Sequence, residues 1–379
     1  LGSAIPVEGG FYKWVQRGLG EFWGFQAGWW HTLSIIVDSA VYVVLAVGYI
    51  NFWFELTPFQ NWLLSFIIIC IFTYINIRGI ELIGLTSTIF SLIILAPFAV
   101  FVVLGFVKWS ANPFVPFIAE GETVFSSLGL GLAIGMWMYA GYESMSTMAG
   151  EIKNPQRVIP RALMIAMPFI IAVYFLPTLA GLASVGSWES WSTEGGISFV
   201  EAGAILGGSL FGVFLMFSAV FSNLALYKDY LATGTRTPFV MADDGLLPPI
   251  ITKLHPKFKT PYVSILTIAA LNAILCLGTF QILVVIDIFL LMFAYILIFI
   301  AAINLRKKEP ELERPFKIPL NTAGLIAISV SPILIAVIAL FTNGVEYIIG
   351  GAIGAASGPL AYYFFKRKYG GLTRNKQSA

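Results

Sequence analysis

Residues 136–162 read MWMYAGYESMSTMAGEIKNPQRVIPRA and place one carboxylate, Glu143, inside an otherwise apolar stretch. A charge at bilayer depth costs roughly 2.5–3.5 kcal/mol on insertion scales, so it needs a partner, a proton or a water-filled cavity. Gly141 stands two residues before it, Gly150 follows, and Pro155 and Pro160 close the segment. Glycine and proline let a helix break where the charge sits. The stretch reads as a broken membrane helix on a substrate or ion path, followed by a turn.

Composition extends this setting to the whole chain. With 58% hydrophobic and 11% charged residues among 379, the chain cannot solvate a globular surface; soluble domains carry roughly 25% charge. Mean hydropathy is +0.86. Apolar stretches of the roughly 20 residues a helix needs to cross a bilayer lie near 23–54, 60–79, 83–107, 125–149, 161–185, 203–233, 261–280, 282–305, 320–342 and 346–365. The expected fold is all-α and polytopic, a single membrane domain over 1–379 with a short tail at 366–379. Cys70 and Cys276 fall inside apolar stretches and read as packing residues rather than a disulfide.

Alternating the loops between two sides puts 21 of the 22 Lys and Arg on one side, including the run Lys228 to Lys259, with only Lys108 opposite. The positive-inside rule makes the basic side cytoplasmic and puts both chain ends there. Topology accounts for the asymmetry, and nucleic-acid binding is not implied. Residues 1–10 look like the tail of a span and lack signal-peptide features, so an upstream segment is expected. Phe11 to Phe22 reads either as a short amphipathic helix, with Lys13 and Arg17 four apart on one face, or as a plain surface loop.

Four stretches then carry a resemblance in order: Pro6-Val-Glu-Gly-Gly-Phe-Tyr with Phe22-Trp-Gly-Phe-Gln-Ala-Gly, Asn76-Ile-Arg-Gly, the loop Gly150 to Ala162, and Ala242-Asp-Asp-Gly-Leu-Leu-Pro248 followed by Thr260-Pro261. Together they resemble the amino acid-polyamine-organocation (APC) permeases over essentially the whole chain. The resemblance implies twelve spans, the first ten forming two inverted five-span repeats with two further C-terminal spans, and broken first and sixth spans around a central site. The chain would hold the third to twelfth spans, N-terminally truncated by the first and most of the second.

The resemblance also implies the site. Its unwound part falls at Tyr139, Ala140, Gly141 and Tyr142, with Trp137 one turn before as an aromatic gate. A broken helix offers unpaired carbonyls and N–H groups that suit a zwitterion. Packing is the competing reading for the aromatics, and close helix contact for Gly141. Glu143 either holds the break together or carries the coupling proton. Asp38, in a span that lines the cavity in the family, would help select a cationic substrate; a hydrogen-bonded or protonated interior acid is the alternative. Asp287 reads as nearer the outer half of its span and ranks below Asp38. Ser218, Ser222 and Asn223 are ion-coupling candidates or, equally, interhelical hydrogen-bond partners. His31 reads as lying near a membrane face and His255 in a loop.

No phosphate loop, zinc-protease motif or nucleophile elbow is present in the sequence, and neither enzyme chemistry, a cofactor nor a metal is expected. Asp243-Asp244-Gly245 reads as a helix-ending turn. The expectation is a secondary active transporter of amino acids in the plasma membrane, multi-pass, working by alternating access. It would be coupled to H+ in preference to Na+, or exchanging. A polyamine or cationic amino acid transporter is the alternative, and a non-transporting nutrient receptor ranks behind both.

Overall fold

A computed structural model describes residues 1–115, 118, 124, 135, 138–186, 188–191, 197–278, 280–342 and 345–372. Among the described residues the regular elements are helices, with no strand: α1 (Phe11–Leu19), α2 (Glu21–Phe54), α3 (Pro58–Arg78), α4 (Ile80–Val107), a 3₁₀ segment (Tyr142–Glu151), α5 (Pro155–Ser184), α6 (Phe199–Gly207), α7 (Ser209–Gly234), α8 (Arg236–Asp243), α9 (Tyr262–Leu275), α10 (Phe280–Lys308), α11 (Thr322–Thr342) and α12 (Val345–Tyr369). Nine of the ten expected apolar stretches coincide with helices. The stretch 125–149 lies largely outside the described residues. Among the described residues six helices are long and apolar enough to cross a membrane, and α9 and the Thr322–Leu334 part of α11 are apolar but shorter.

Local chemistry sets the boundaries. Pro58 opens α3 behind a capping box in which Thr57 and Gln60 satisfy each other's backbone N–H, and Ser198 with Glu201 does the same for α6. Gly208, at φ 87°, separates α6 from α7. The expected single span at 203–233 is corrected accordingly: its first five residues belong to a short helix that folds back on α7.

At the centre stands α2, whose 34 residues extend about 51 Å, well beyond the roughly 30 Å hydrocarbon core. It packs against α10, α7, α1 and α3. Two thirds (67%) of its most apolar window is buried, against 6% for α5, so α2 is the inner post and α5 an outer helix. Both are hydrophobic all round, and burial therefore does not follow from hydropathy.

Phe11–Leu19 is a helix, settling the open reading of that segment: Phe11, Tyr12, Trp14 and Val15 are buried, and Arg17 on the outer face pairs with Glu309 at 2.6 Å. Asp243-Asp244-Gly245 ends α8 with Gly245 at φ 76°. Its Asp244 carboxylate accepts from Lys13 Nζ at 2.6 Å and from Tyr12 and Gln16, tying α1 to α8.

Two sequence expectations need correction. Lys228 is not a loop residue: it is fully buried in α7, because its ammonium finds oxygen partners on α4. His31 is 1% exposed within α2, its ring edge-on to Phe11 of α1 at 4.0 Å. Cys70 is exposed on α3, whereas Cys276 is half-buried with its Sγ 4.0 Å from the Ala40 carbonyl oxygen.

Beside the 3₁₀ segment, Glu8 lies near Glu151, Asp243 and Arg236. Burial, and then the Glu151 charge, push its carboxyl above the usual carboxylate range, with Arg236 opposing. A raised native value means the folded state holds this proton more tightly than the unfolded one. Stability from this group is present at low pH and is lost as pH rises through the raised value. Glu8→Gln is expected to raise the melting temperature at neutral pH by about 1–2 °C and to flatten the gain seen on acidification, as read by thermal scans in detergent.

Candidate substrate site

The site is built from three helices and the 3₁₀ segment. On α2, Ser34, Asp38 and Tyr42 recur every four residues and so share one face. That face meets α10, where Asp287 Oδ1 accepts from Ser34 Oγ. Asp38 and Asp287 are 3% and 1% exposed and lie within electrostatic reach of each other. Asp287 Oδ2 has no hydrogen-bond partner among the described residues. Tyr42 hydrogen-bonds with Asp38 and with Tyr230 of α7, its ring centroid 5.3 Å from that of Tyr230.

Tyr230 carries this network to the helix break. Gly141 takes φ 90°, and a Cβ built there would lie 2.0 Å from the Tyr230 hydroxyl. Its N–H donates to the Tyr295 hydroxyl of α10 at 3.0 Å, an orphan donor satisfied by a side chain because the chain is not helical there. Thr147 Oγ1 donates to the Thr233 carbonyl at 2.9 Å, fixing the 3₁₀ segment to α7. Between these elements opens a cavity of about 430 Å³ whose walls include Gly84, Gly141, Ser144, Asp229, Tyr230 and Thr233. That volume falls in the range of small-molecule sites.

Ala140 and Gly141 line the cavity. Tyr139 does not. Its ring is 38% exposed, packs edge-on to Tyr174 at 5.4 Å and faces a separate apolar groove between α10 and α11. Trp137 lies outside the described residues, and so do the side chains of Tyr142 and Glu143. Ser218 is fully buried and donates to the Ile94 carbonyl at 2.8 Å, tying α7 to α4. Asn223 donates to Ala219 of its own helix at 2.9 Å. Ser222 is half-buried one turn beyond Ser218.

Sequence reasoning did not single out Asp229 and Tyr230, which line the cavity, and did not pair Asp287 with Ser34. The first two sit beside Lys228, which reads as a loop cation by its charge although it falls within the apolar stretch 203–233. The available signal was the register of α7: Ser218, Ser222, Ala225 and Asp229 fall three or four apart on one face.

A polytopic helical body with buried acids, tyrosines and a helix break around a small-molecule cavity defines a membrane transport protein. The amino acid permease family matches residues 1–355, and the chain belongs to that family, within the APC permeases. It is a membrane transporter of a small-molecule substrate and not an enzyme. Among its relatives are the polyamine transporter RMV1 of Arabidopsis thaliana, 30% identical over 346 residues, covering 90% of this chain and 70% of that protein. The polyamine transporter PUT1 of Oryza sativa subsp. japonica is 30% identical over 93% of this chain and 66% of its own length. The serine/threonine exchanger SteT of Bacillus subtilis is 27% identical over 97% and 84% respectively.

Proposed function

We propose that the protein is a secondary active transporter of organic polycations, polyamines first, which binds its substrate beside the Gly141 break and works by alternating access in the plasma membrane, with the basic loops and both ends cytoplasmic. The observation that carries this reading is the Asp38–Asp287 pair. Two carboxylates this deeply buried and within electrostatic reach of each other call for a cation or a proton to offset the charge, and a substrate ammonium supplies the cation. The names of the relatives in Arabidopsis and rice agree with it. Exchange of a held proton for substrate on the same acids couples the two fluxes.

Coupling to H+ rather than Na+ fits the seam between α4 and α7. The oxygen-lined niche of the Ile83 carbonyl, Ser87 and Asp229 is filled by the Lys228 ammonium, and the Ser218 hydroxyl is engaged by Ile94. A second substrate reading, neutral amino acids, is favoured by the break itself, whose freed backbone groups suit a zwitterion. The inverted repeat and the twelve-span count remain part of the proposal.

Uptake of labelled putrescine, arginine and alanine by the full-length protein in proteoliposomes tests this. Asp38→Asn and Asp287→Asn are each expected to lower putrescine uptake at subsaturating concentration at least about tenfold, the loss of one buried charge contact of some 1.4 kcal/mol or more. Alanine uptake should fall much less. Equal losses for the two substrates would favour the amino acid reading and make the acids structural.

A further inference from the structure

Among the described residues that line the cavity, Asp229 is the one carboxylate. Its side chain is 45% exposed, and its Oδ1 is held from behind by Lys228 Nζ at 3.0 Å and by Ser87 Oγ at 3.2 Å. Lys228 itself is fully buried and donates to the Ile83 carbonyl at 2.9 Å and to Ser87 Oγ. No hydrogen bond to Asp229 Oδ2 is found among the described residues. The carboxylate is thus fixed in orientation by a lysine that has no access to the cavity, with one oxygen left for a donor arriving from it.

Two tyrosines connect Asp229 to the Asp38–Asp287 pair. Tyr230 follows Asp229 directly and lines the cavity, its ring 5.3 Å from Tyr42, and Tyr42, behind the cavity wall, is hydrogen-bonded to Asp38. Asp287 Oδ2, within electrostatic reach of Asp38, is buried with no hydrogen-bond partner among the described residues. The order along this chain of contacts is acid, tyrosine, tyrosine, acid pair. A carboxylate at either end calls for an ammonium at either end, and aromatic faces between them accept methylenes or a passing cation.

We infer that Asp229 is the second ammonium subsite and that the protein selects α,ω-diammonium substrates by the span between Asp229 and the Asp38–Asp287 pair. Lys228 is a positioning residue: it holds Asp229 Oδ1 and leaves Oδ2 to the substrate. The inference rests on the organic-cation reading above and adds to it a ruler for chain length.

The test is competition against labelled putrescine binding to the full-length protein in detergent by a series of α,ω-diamines of increasing chain length and their monoamine counterparts, with size-exclusion profiles reporting folding. The wild type is expected to bind its best diamine at least about tenfold more tightly than the matching monoamine. Asp229→Asn should abolish that preference, its loss of diamine affinity exceeding its loss of monoamine affinity by about tenfold. Asp38→Asn should weaken both. Asp229→Glu carries the charge one methylene further into the cavity, so it should keep the preference and shift the favoured diamine one carbon shorter. If Asp229→Asn fails to fold, the length shift in Asp229→Glu decides alone. Retained diamine preference in Asp229→Asn, or an unshifted optimum in Asp229→Glu, overturns the ruler and leaves the organic-cation reading standing. A wild type that binds neither monoamines nor diamines sinks that reading and the inference with it.

Discussion

Gly141→Ala is expected to abolish transport. The residue holds φ 90°, a conformation that costs an L side chain about 1–3 kcal/mol. The new methyl would also sit 2.0 Å from the Tyr230 hydroxyl and 3.0 Å from its ring carbon Cζ. Neither contact is tolerable, so either Tyr230 leaves its place beside Tyr42 or the backbone turns out of the geometry that gives its N–H to Tyr295. Both outcomes dismantle the cavity wall. Uptake in proteoliposomes should fall by a factor of about 100 or more, since a misplacement of order 1 Å at a binding wall has effects of that size. Surface expression should change far less. The double variant Gly141→Ala with Tyr230→Phe separates the two causes. Removing the hydroxyl relieves the closest contact, so a partial return of binding marks the clash, and the remaining deficit marks the backbone strain. Wild-type uptake in the single variant would place the substrate elsewhere.

The second large effect is on stability. Arg236 is fully buried at the start of α8, and its guanidinium meets Glu151 at the end of the 3₁₀ segment through two bonds, Nε to Oε1 at 2.8 Å and Nη2 to Oε2 at 3.2 Å. Its Nη1 donates to the Ala232 carbonyl and to Thr235. Removing one partner of a buried pair typically costs about 3–5 kcal/mol because the other charge stays behind without compensation. The Glu151 side chain is 30% exposed, so water can recover part of that loss, and about 2–3 kcal/mol is expected. Glu151→Gln should therefore lower the melting temperature in detergent by several degrees, while Glu151→Asp, which keeps the charge, should lower it less. A melting curve unchanged by Glu151→Gln would mean that the pair does not hold the segment to α8. Because Glu151 is also the charge nearest in effect to Glu8 after burial, Glu151→Gln should bring the Glu8 carboxyl back toward its ordinary range.

Both predictions fall on the segment between Gly141 and Glu151, which its residue order singles out. A glycine and a carboxylate in an apolar run, closed by prolines, violate what a continuous membrane helix requires, and such violations are readable wherever they occur. Hydropathy located nine helices for the same reason: lipid imposes a one-dimensional length and composition rule on each span. Pairing of distant side chains obeys no such rule. Asp287 looked like an outer-half acid because nothing in its own span points to Ser34, 253 positions away. Lys228 looked like a loop cation because a lysine is normally solvated, and only the Ile83 carbonyl and Ser87 across the α4–α7 seam explain its burial. Tyr139 sits two residues from Gly141 in the chain, yet it faces a different groove, and Gly141 itself takes φ 90°.

Taken alone, the residue order determined that the protein is all-helical and polytopic, where its apolar stretches run and where glycine interrupts one of them, because these depend on local hydropathy and on the backbone limits of glycine and proline; the permease class came from the resemblance of its motifs to the APC family. The tertiary structure decided which of the buried charges face one another, that Asp229 and Tyr230 complete the cavity, and that Lys228 stands behind its wall. The reason is physical: an ionised group inside a low-dielectric body is defined by its neighbours in space, and the helices that supply those neighbours here, α2, α4, α7 and α10, meet only once the chain has folded.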